Sequence, residues 1–271
     1  MSDLIKLLTV IFALFWNKSK SDKWKKFDSN QRNFFSLWAK TEKSGKSHFI
    51  YDKEFYDDIL FNHLENINLD KRRNNDEIFD YIKKSEKLKI NPCIFISPLT
   101  KPDNLKTSLT KIGFKKSDKI LVMKNKNNNF IYDMKFKLKD VNQNNLEEWI
   151  TCYMKSFEIT EKFRSKLSNI INNIYQNKKN KFFLSILDNN IVGCLILFSE
   201  NKIGGIYCVG TNPEYRNMGV ASFILNHTIK YSKQIGNTDT ILQTLLSDQL
   251  EIFYKKKQFN IEYYIDVYLK E

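Results

Sequence analysis

The thirteen residues Val209-Gly210-Thr211-Asn212-Pro213-Glu214-Tyr215-Arg216-Asn217-Met218-Gly219-Val220-Ala221 carry the clearest chemical signal in this chain. They lie between an apolar strand-like run and a helical pattern, so they lead into a helix N-terminus. The first turn of a helix has backbone N–H groups without intrahelical partners, and the helix dipole adds partial positive charge there. Successive amides in such a loop form a nest for an anion. Gly219 allows a ligand close to the backbone, small Ala221 keeps the next turn clear, and Arg216 adds a permanent cation. Together these features predict a diphosphate site.

The elements that position this loop follow from periodicity. Strands are expected at Ile131–Leu138, Phe182–Leu187, Ile191–Leu197, Ile203–Val209, Thr240–Thr244 and Ile261–Leu269. Asp188-Asn189-Asn190 marks a hairpin between the second and third of these. Helices are expected at Leu146–Phe157, Phe163–Tyr175, Gly219–Gln234 and Ser247–Lys256, the third with Val220, Phe223, Ile224 and Tyr231 on one side. Strands and helices mixed in this order imply an α/β or α+β unit with helices covering a central mixed sheet.

Before residue 130 the pattern differs. Residues 27–90 read as mostly helical: one helix capped by Ser29 with Phe34, Phe35, Leu37 and Trp38, one through Phe55, Ile59, Leu60, His63 and Leu64, and one from Asp76 through Ile82. Cys93–Ile96 then reads as a buried strand, Pro102-Asp103 opens a helix through Leu105 and Leu109, Gly113-Phe114 ends it, and Lys119–Met123 is a strand. The polar stretch Lys124–Asn129 is the linker candidate, which divides the chain into residues 1–125 and 130–271. Leu105-x-x-x-Leu109-x-x-x-Gly113-Phe114 matches Leu250-x-x-x-Tyr254-x-x-x-Gln258-Phe259 at an offset of 145 residues, and a strand follows each. The placement of the two at the ends of similar halves favours a duplicated domain.

Composition sets the bounds. At 271 residues and 42% apolar content the chain has material for two packed cores, which excludes wholesale disorder. The net charge is +13. Residues 1–130 hold 26 basic and 16 acidic side chains, leaving 44 − 26 = 18 and 31 − 16 = 15 for the remainder, so the excess is +10 against +3. Lysine- and asparagine-rich runs make biased residue usage the simpler reading of this charge; an anionic partner is allowed rather than required. Cys93, Cys152, Cys194 and Cys208 show neither a C-x-x-C pair nor metal-type spacing with the three histidines. They read as reduced thiols of a cytoplasmic protein with no metal. Leu4–Trp16 is apolar apart from Lys6, and as a helix spans about 20 Å, short of a bilayer core of roughly 30 Å. It reads first as a packed helix; a helix lying on a membrane surface and a targeting signal stay open.

Pro213, Arg216, Gly219 and Ala221 resemble the Val-x-Pro-x-x-Arg-x-x-Gly-x-Gly/Ala motif of the GCN5-related N-acetyltransferase (GNAT) superfamily, with Thr211 in the valine place. The family's downstream Asn-x-x-Ala-x-x-x-Tyr-x-x-x-Gly-Phe is met by Ser247, Leu250, Tyr254, Gln258 and Phe259, and the element order from Ile131 onward is similar throughout. The resemblance implies a GNAT-like acyl-CoA transferase fold, in tandem with a degenerate N-terminal copy that has Leu109 in the place of Tyr254 and no phosphate loop.

It also implies an acetyl-CoA site and acyl transfer to an amine by direct attack in a ternary complex. Backbone groups of Val209, Gly210 and Thr211 would bind the pantetheine arm, and amides of Asn217, Met218, Gly219, Val220 and Ala221 the pyrophosphate, beside Arg216. Ser247 would reach toward the cofactor. Tyr254 would protonate the departing thiolate, a role that suits a group still protonated at neutral pH. Leu242 stands where some members carry a glutamate base. Glu158, Glu161 and Glu200 are weak substitutes, and His227 and Cys208 read as packed side chains. Two alternatives stand beside the enzyme: a non-catalytic acyl-CoA-binding or regulatory module, and a tandem transferase moving aminoacyl groups from tRNA. The acceptor and the oligomeric state are not readable.

Overall fold

The computed structural model describes residues 2–69, 74–126 and 134–270, with side chains described outside 2–17 and 74–75. The chain opens with α1 (Ser2–Phe35), followed by β1 (Lys40–Ser44), β2 (Ser47–Tyr51), β3 (His63–Glu65), α2 (Asn74–Leu88), β4 (Cys93–Ile96), α3 (Leu105–Lys111) and β5 (Phe114–Asn125). The second half runs β6 (Phe136–Asp140), α4 (Leu146–Ser156), α5 (Arg164–Gln176), β7 (Asn180–Leu187), β8 (Asn190–Glu200), β9 (Ile203–Thr211), α6 (Val220–Gln234), β10 (Asp239–Leu245), α7 (Glu251–Lys256) and β11 (Phe259–Lys270).

All eleven strands form one mixed sheet in the order β1-β2-β3-β4-β11-β5-β10-β9-β8-β7-β6. Its centre joins the halves reciprocally. β5 lies between β11 and β10, and β11 lies between β4 and β5. The β5–β11 ladder contains both Phe114↔Lys270 and Phe259↔Asn125, both Lys116↔Tyr268 and Ile261↔Met123, and pairs Ile120 with Ile265. Shifting either strand by 145 residues therefore maps the ladder onto itself, including its two register irregularities. Phe114 and Phe259, related by the same shift, are both fully buried.

The second half follows its local signals. Asp188 and Asn189 both have positive φ, as a two-residue hairpin with strand-compatible twist requires. α6 buries Val220, Phe223, Ile224, Leu225 and Ile229 against one face of the sheet, while Tyr231 is half-buried. Phe34 and Phe35 of α1, with Trp38 in the turn after it, share a core on the other face with Trp149 of α4 and Ile171 of α5.

The first half departs from its reading. Ser29 caps nothing: it lies within α1, which is continuous through the lysine-rich segment. Residues 40–51 form the hairpin β1–β2 rather than helix. Phe55–Leu64 is a run of turns entering β3, because Asp52 and Asp58 accept bonds from nearby backbone N–H groups and Asn62 holds the loop closed through the carbonyls of Phe55 and Asp58. Lys124 and Asn125 belong to β5, so the linker reading is too early by two residues at least; 127–133 lie outside the described residues. The Leu4–Trp16 alternatives concern side chains that also lie outside them. No helix among the described residues is long and apolar enough to cross a membrane.

Candidate active site

The site forms where two neighbouring strands part. β9 and β10 run parallel and pair from Ile203↔Asp239 to Ile206↔Leu242, and no further. β9 then bulges against β8: the ladder skips from Ile196↔Tyr207 to Cys194↔Gly210, and Cys208 takes φ +54°. A bulge bends a strand and re-aims its backbone. Residues 207–211 consequently leave β10, and the backbone from Val209 to Thr211 faces the opening. Gly210 is required by packing, since a Cβ there would lie 2.7 Å from Ser156 Cβ and 2.8 Å from Cys194 Sγ.

After β9, a turn at Pro213–Tyr215 brings the chain to Gly219, the N-cap of α6, at φ +95°. Only glycine takes this conformation without strain. A Cβ would find its nearest neighbour at 3.8 Å, so the backbone angle rather than space selects the residue. Arg216 donates to the Ser156 carbonyl at 3.0 Å and approaches Glu158 Oε1 at 3.4 Å, tying the loop to the end of α4.

Two cavities meet at this opening. The larger, of about 590 Å³, is lined by Val209, Gly210 and Thr211, by Arg216, Asn217, Gly219, Val220 and Ala221, and by Lys256 and Lys257 at the end of α7. The smaller, of about 230 Å³, extends beneath α1 among aromatic side chains. Phe157, Val209, Leu250 and Tyr254 line both. Tyr254 is buried at the junction, and burial together with the charge of Asp248 pushes its hydroxyl pKa up to about 12.

Residues 143–257 match the family model described as the Acetyltransferase (GNAT) family. The second half of this chain carries a GNAT domain. Solved structures similar in fold include a GCN5-related N-acetyltransferase from Kribbella flavida, at 11% identity and a TM-score of 0.66, covering 90% of this chain and 94% of that one. Another, from Sphaerobacter thermophilus, is 12% identical with a TM-score of 0.62, covering 83% and 76%. A tandem GNAT protein from the clavulanic acid biosynthesis pathway is 7% identical with a TM-score of 0.58, covering 77% and 74%. These similarities run through the first half as well. No curated protein matches the sequence.

Within the GNAT domain the structure gathers most of the residues singled out from sequence around one opening, and two fall elsewhere. Met218 is exposed and lines neither cavity. Ser247 sits in a short turn ahead of α7, whose N-cap is Leu250, and its hydroxyl donates to Asp118 of β5 at 2.5 Å. It lines neither cavity, so the expected reach toward a cofactor is not seen.

The weak base candidates line neither cavity, and each is held in an ion pair. Glu161 pairs with Arg164 at 2.6 Å, Glu200 with Lys179 at 2.6 Å, and Glu158 with Arg216. His227 lines neither cavity. Burial raises the Cys208 thiol well above its usual pKa, which keeps it a protonated neutral group rather than a nucleophile. Leu242 contributes apolar wall to the smaller cavity. Among the described residues no cluster could hold a metal ion. Sequence reading missed Asp248, the carboxylate lining the smaller cavity, which accepts from Thr244 Oγ1 and Leu245 N, both at 3.1 Å. It also missed Lys256 and Lys257, although a basic run ending a helix opposite a phosphate loop was a usable signal.

Proposed function

We propose that the protein transfers an acetyl group from acetyl-CoA to an amine acceptor. The observation that carries this reading is the junction of the two cavities at Tyr254, beside a strand whose backbone is free to bind an extended arm. The pantetheine would add to the β9 edge at Val209–Thr211 as a strand does. Its diphosphate would rest on the N–H groups of the α6 N-terminus, with Arg216, Lys256 and Lys257 supplying positive charge. The thioester would then reach Tyr254 with the acceptor amine on its other side.

The chemistry needs no covalent enzyme intermediate. An ammonium group loses one proton to solvent, and the neutral nitrogen attacks the carbonyl carbon. The N–C bond forms, the C–S bond breaks, and the thiolate takes the Tyr254 proton. The nitrogen's second proton restores Tyr254, so one proton is released per turnover. Holding both reactants in line supplies the proximity part of the rate enhancement, and Tyr254 the acid part.

The correspondence of β5 with β11 and the fold similarities across both halves support reading residues 1–125 as a degenerate copy of 130–271. That half lacks the loop and the tyrosine, and its role is to wall the acceptor cavity with α1 and the turns before β3.

Acetyl-CoA titrated calorimetrically into wild-type protein is expected to bind in the micromolar range. Ala221→Glu, which places a carboxylate in the phosphate cradle, should abolish binding. Tyr254→Phe should leave binding intact and lower kcat by about 100-fold or more. A well-folded wild type that binds no acetyl-CoA would refute the proposal. Binding without turnover of any amine would instead support the acyl-CoA-binding module, the reading favoured by the absence of a glutamate among the described residues that line the two cavities.

A further inference from the structure

The bend in β9 that opens the candidate site needs a cause, because parallel strands already paired as far as Ile206↔Leu242 gain hydrogen bonds by continuing. The bend sits where the β8–β9 ladder passes from Ile196↔Tyr207 directly to Cys194↔Gly210, so Cys208 and Val209 together stand opposite one residue, Leu195. Cys208 is at φ +54°, a left-handed angle that disfavours any residue with a Cβ. Such an angle persists only where its surroundings hold it. What meets the Cys208 carbonyl is the thiol of Cys194 on β8, with Sγ 3.8 Å from the oxygen.

A carbonyl only accepts, so the thiol is the donor of this bond. Cys194 is fully buried, and burial raises its pKa well above the usual thiol value, so the sulfur keeps the proton it donates. The same sulfur bears on the other end of the bulge, since a Cβ on Gly210 would lie 2.8 Å from it. The end of α4 backs the arrangement: Cys152 Sγ lies 4.0 Å from Ser156 Oγ, and a Gly210 Cβ would lie 2.7 Å from Ser156 Cβ. A thiol hydrogen bond is weak by itself. It matters where it tips a balance between two arrangements of one strand.

We propose that Cys194 is a positioning residue for the donor: its thiol pins the Cys208 carbonyl to β8 and so keeps Val209–Thr211 apart from β10, open to the pantetheine arm. Cys194 lines neither cavity, so it acts through the strand and not on the substrates. This deepens the acyltransferase reading and rests on it for the identity of the arm, though not for the state of the strand. Without the thiol the left-handed angle at Cys208 loses its hold. β9 then straightens and pairs with β10 beyond Leu242, and the donor has to reopen it. A ligand that binds one of two states loses affinity in proportion to the population of that state.

The test uses the full chain and calorimetry of acetyl-CoA. Cys194→Ala removes the donor and is expected to weaken binding by about tenfold or more. Cys194→Val also lacks a donor, should show the same loss, and serves if the alanine variant folds poorly. Cys194→Ser keeps a hydroxyl donor in place and should stay within about threefold of wild type. Adding Cys208→Gly to Cys194→Ala should recover most of the lost affinity, because glycine takes the left-handed angle without a clamp. A side chain that only fills the core is not rescued in that way. Equal affinity in wild type and Cys194→Ala, a serine variant as weak as the alanine one, or a double variant no better than the single one overturns the inference and leaves the acyltransferase reading standing. If wild type binds no acetyl-CoA, which refutes that reading, hydrogen exchange without ligand decides. Residues 207–211 should exchange more slowly in Cys194→Ala than in wild type as the strand pairs with β10, and equal or faster exchange overturns the inference.

Discussion

At the residue scale, the two left-handed turns of the 145-residue correspondence are a natural experiment. Gly113 and Gln258 occupy equivalent places, at φ +90° and +63°. Glycine takes that conformation freely, whereas a residue with a Cβ is strained by about 1–2 kcal/mol. Gln258 is exposed, so Gln258→Gly should raise stability by about 0.5–1 kcal/mol after the entropic cost of glycine, read as a higher urea midpoint at unchanged slope. Gly113→Gln should lower it. The pKa of Tyr254 makes a second prediction. Burial raises it above the ordinary tyrosine value to about 12, so the acid form persists through pH 10. Acetyl transfer should therefore rise with pH as the acceptor amine deprotonates and show no alkaline decline below about pH 11. A fall setting in near pH 9 would count against Tyr254 as the acid. The sequence made Gly219 and Tyr254 visible because their neighbours in the chain are also their neighbours in the site. It hid Asp248, whose meaning depends on which strands part beside it.

At the element scale, α1 does most to complete the site, and its extent was the least legible part. Its middle is rich in lysine and has no clean apolar stripe, because it crosses several strands and buries polar groups as well as rings. Asn30 bonds the Phe198 and Ile203 carbonyls on one side and accepts from Tyr207. Asp28 accepts from Tyr263 of β11. Periodicity reports apolar faces, so a helix held by such contacts goes unread, whereas α4 to α6, each packed on one sheet face, were legible within a few residues. Asp28 also sets a pH dependence. Burial raises its carboxyl pKa to about 7, with Glu65 reinforcing and the Tyr263 bond opposing. A folded-state pKa above the unfolded one means that the group's contribution to stability is complete below about pH 4 and is lost as pH rises through 7. Asp28→Asn, which mimics the protonated form, should therefore lose less stability than wild type between pH 5 and pH 8. Urea midpoints at the two pH values decide this. An unchanged difference would show that Asp28 does not titrate in that window.

At the scale of the whole molecule, the reciprocal placement of β5 and β11 leaves neither half with a finished sheet. Unfolding is expected as one cooperative transition, with far-UV circular dichroism and tryptophan fluorescence changing together; two separated transitions would mean that the halves are independent. The architecture class was readable from element order, but this exchange was not, since nothing in a strand's own sequence names its neighbour. The same exchange has a consequence for biosynthesis. Residues 126–258 must be translated between the two central strands, which at about 5–20 residues per second takes roughly 7–27 s. Until β10 is made β5 has both flanks unclaimed, and one stays so to the end of the interval; the strand holds Ile120-Leu121-Val122-Met123 between Lys115, Lys116, Lys119 and Lys124. Lysines at these places deter pairing with a second nascent chain, as charges do on open strand edges. Part of the charge excess of the first half is thereby accounted for without a nucleic acid: four of its lysines flank a strand that must wait for its partner.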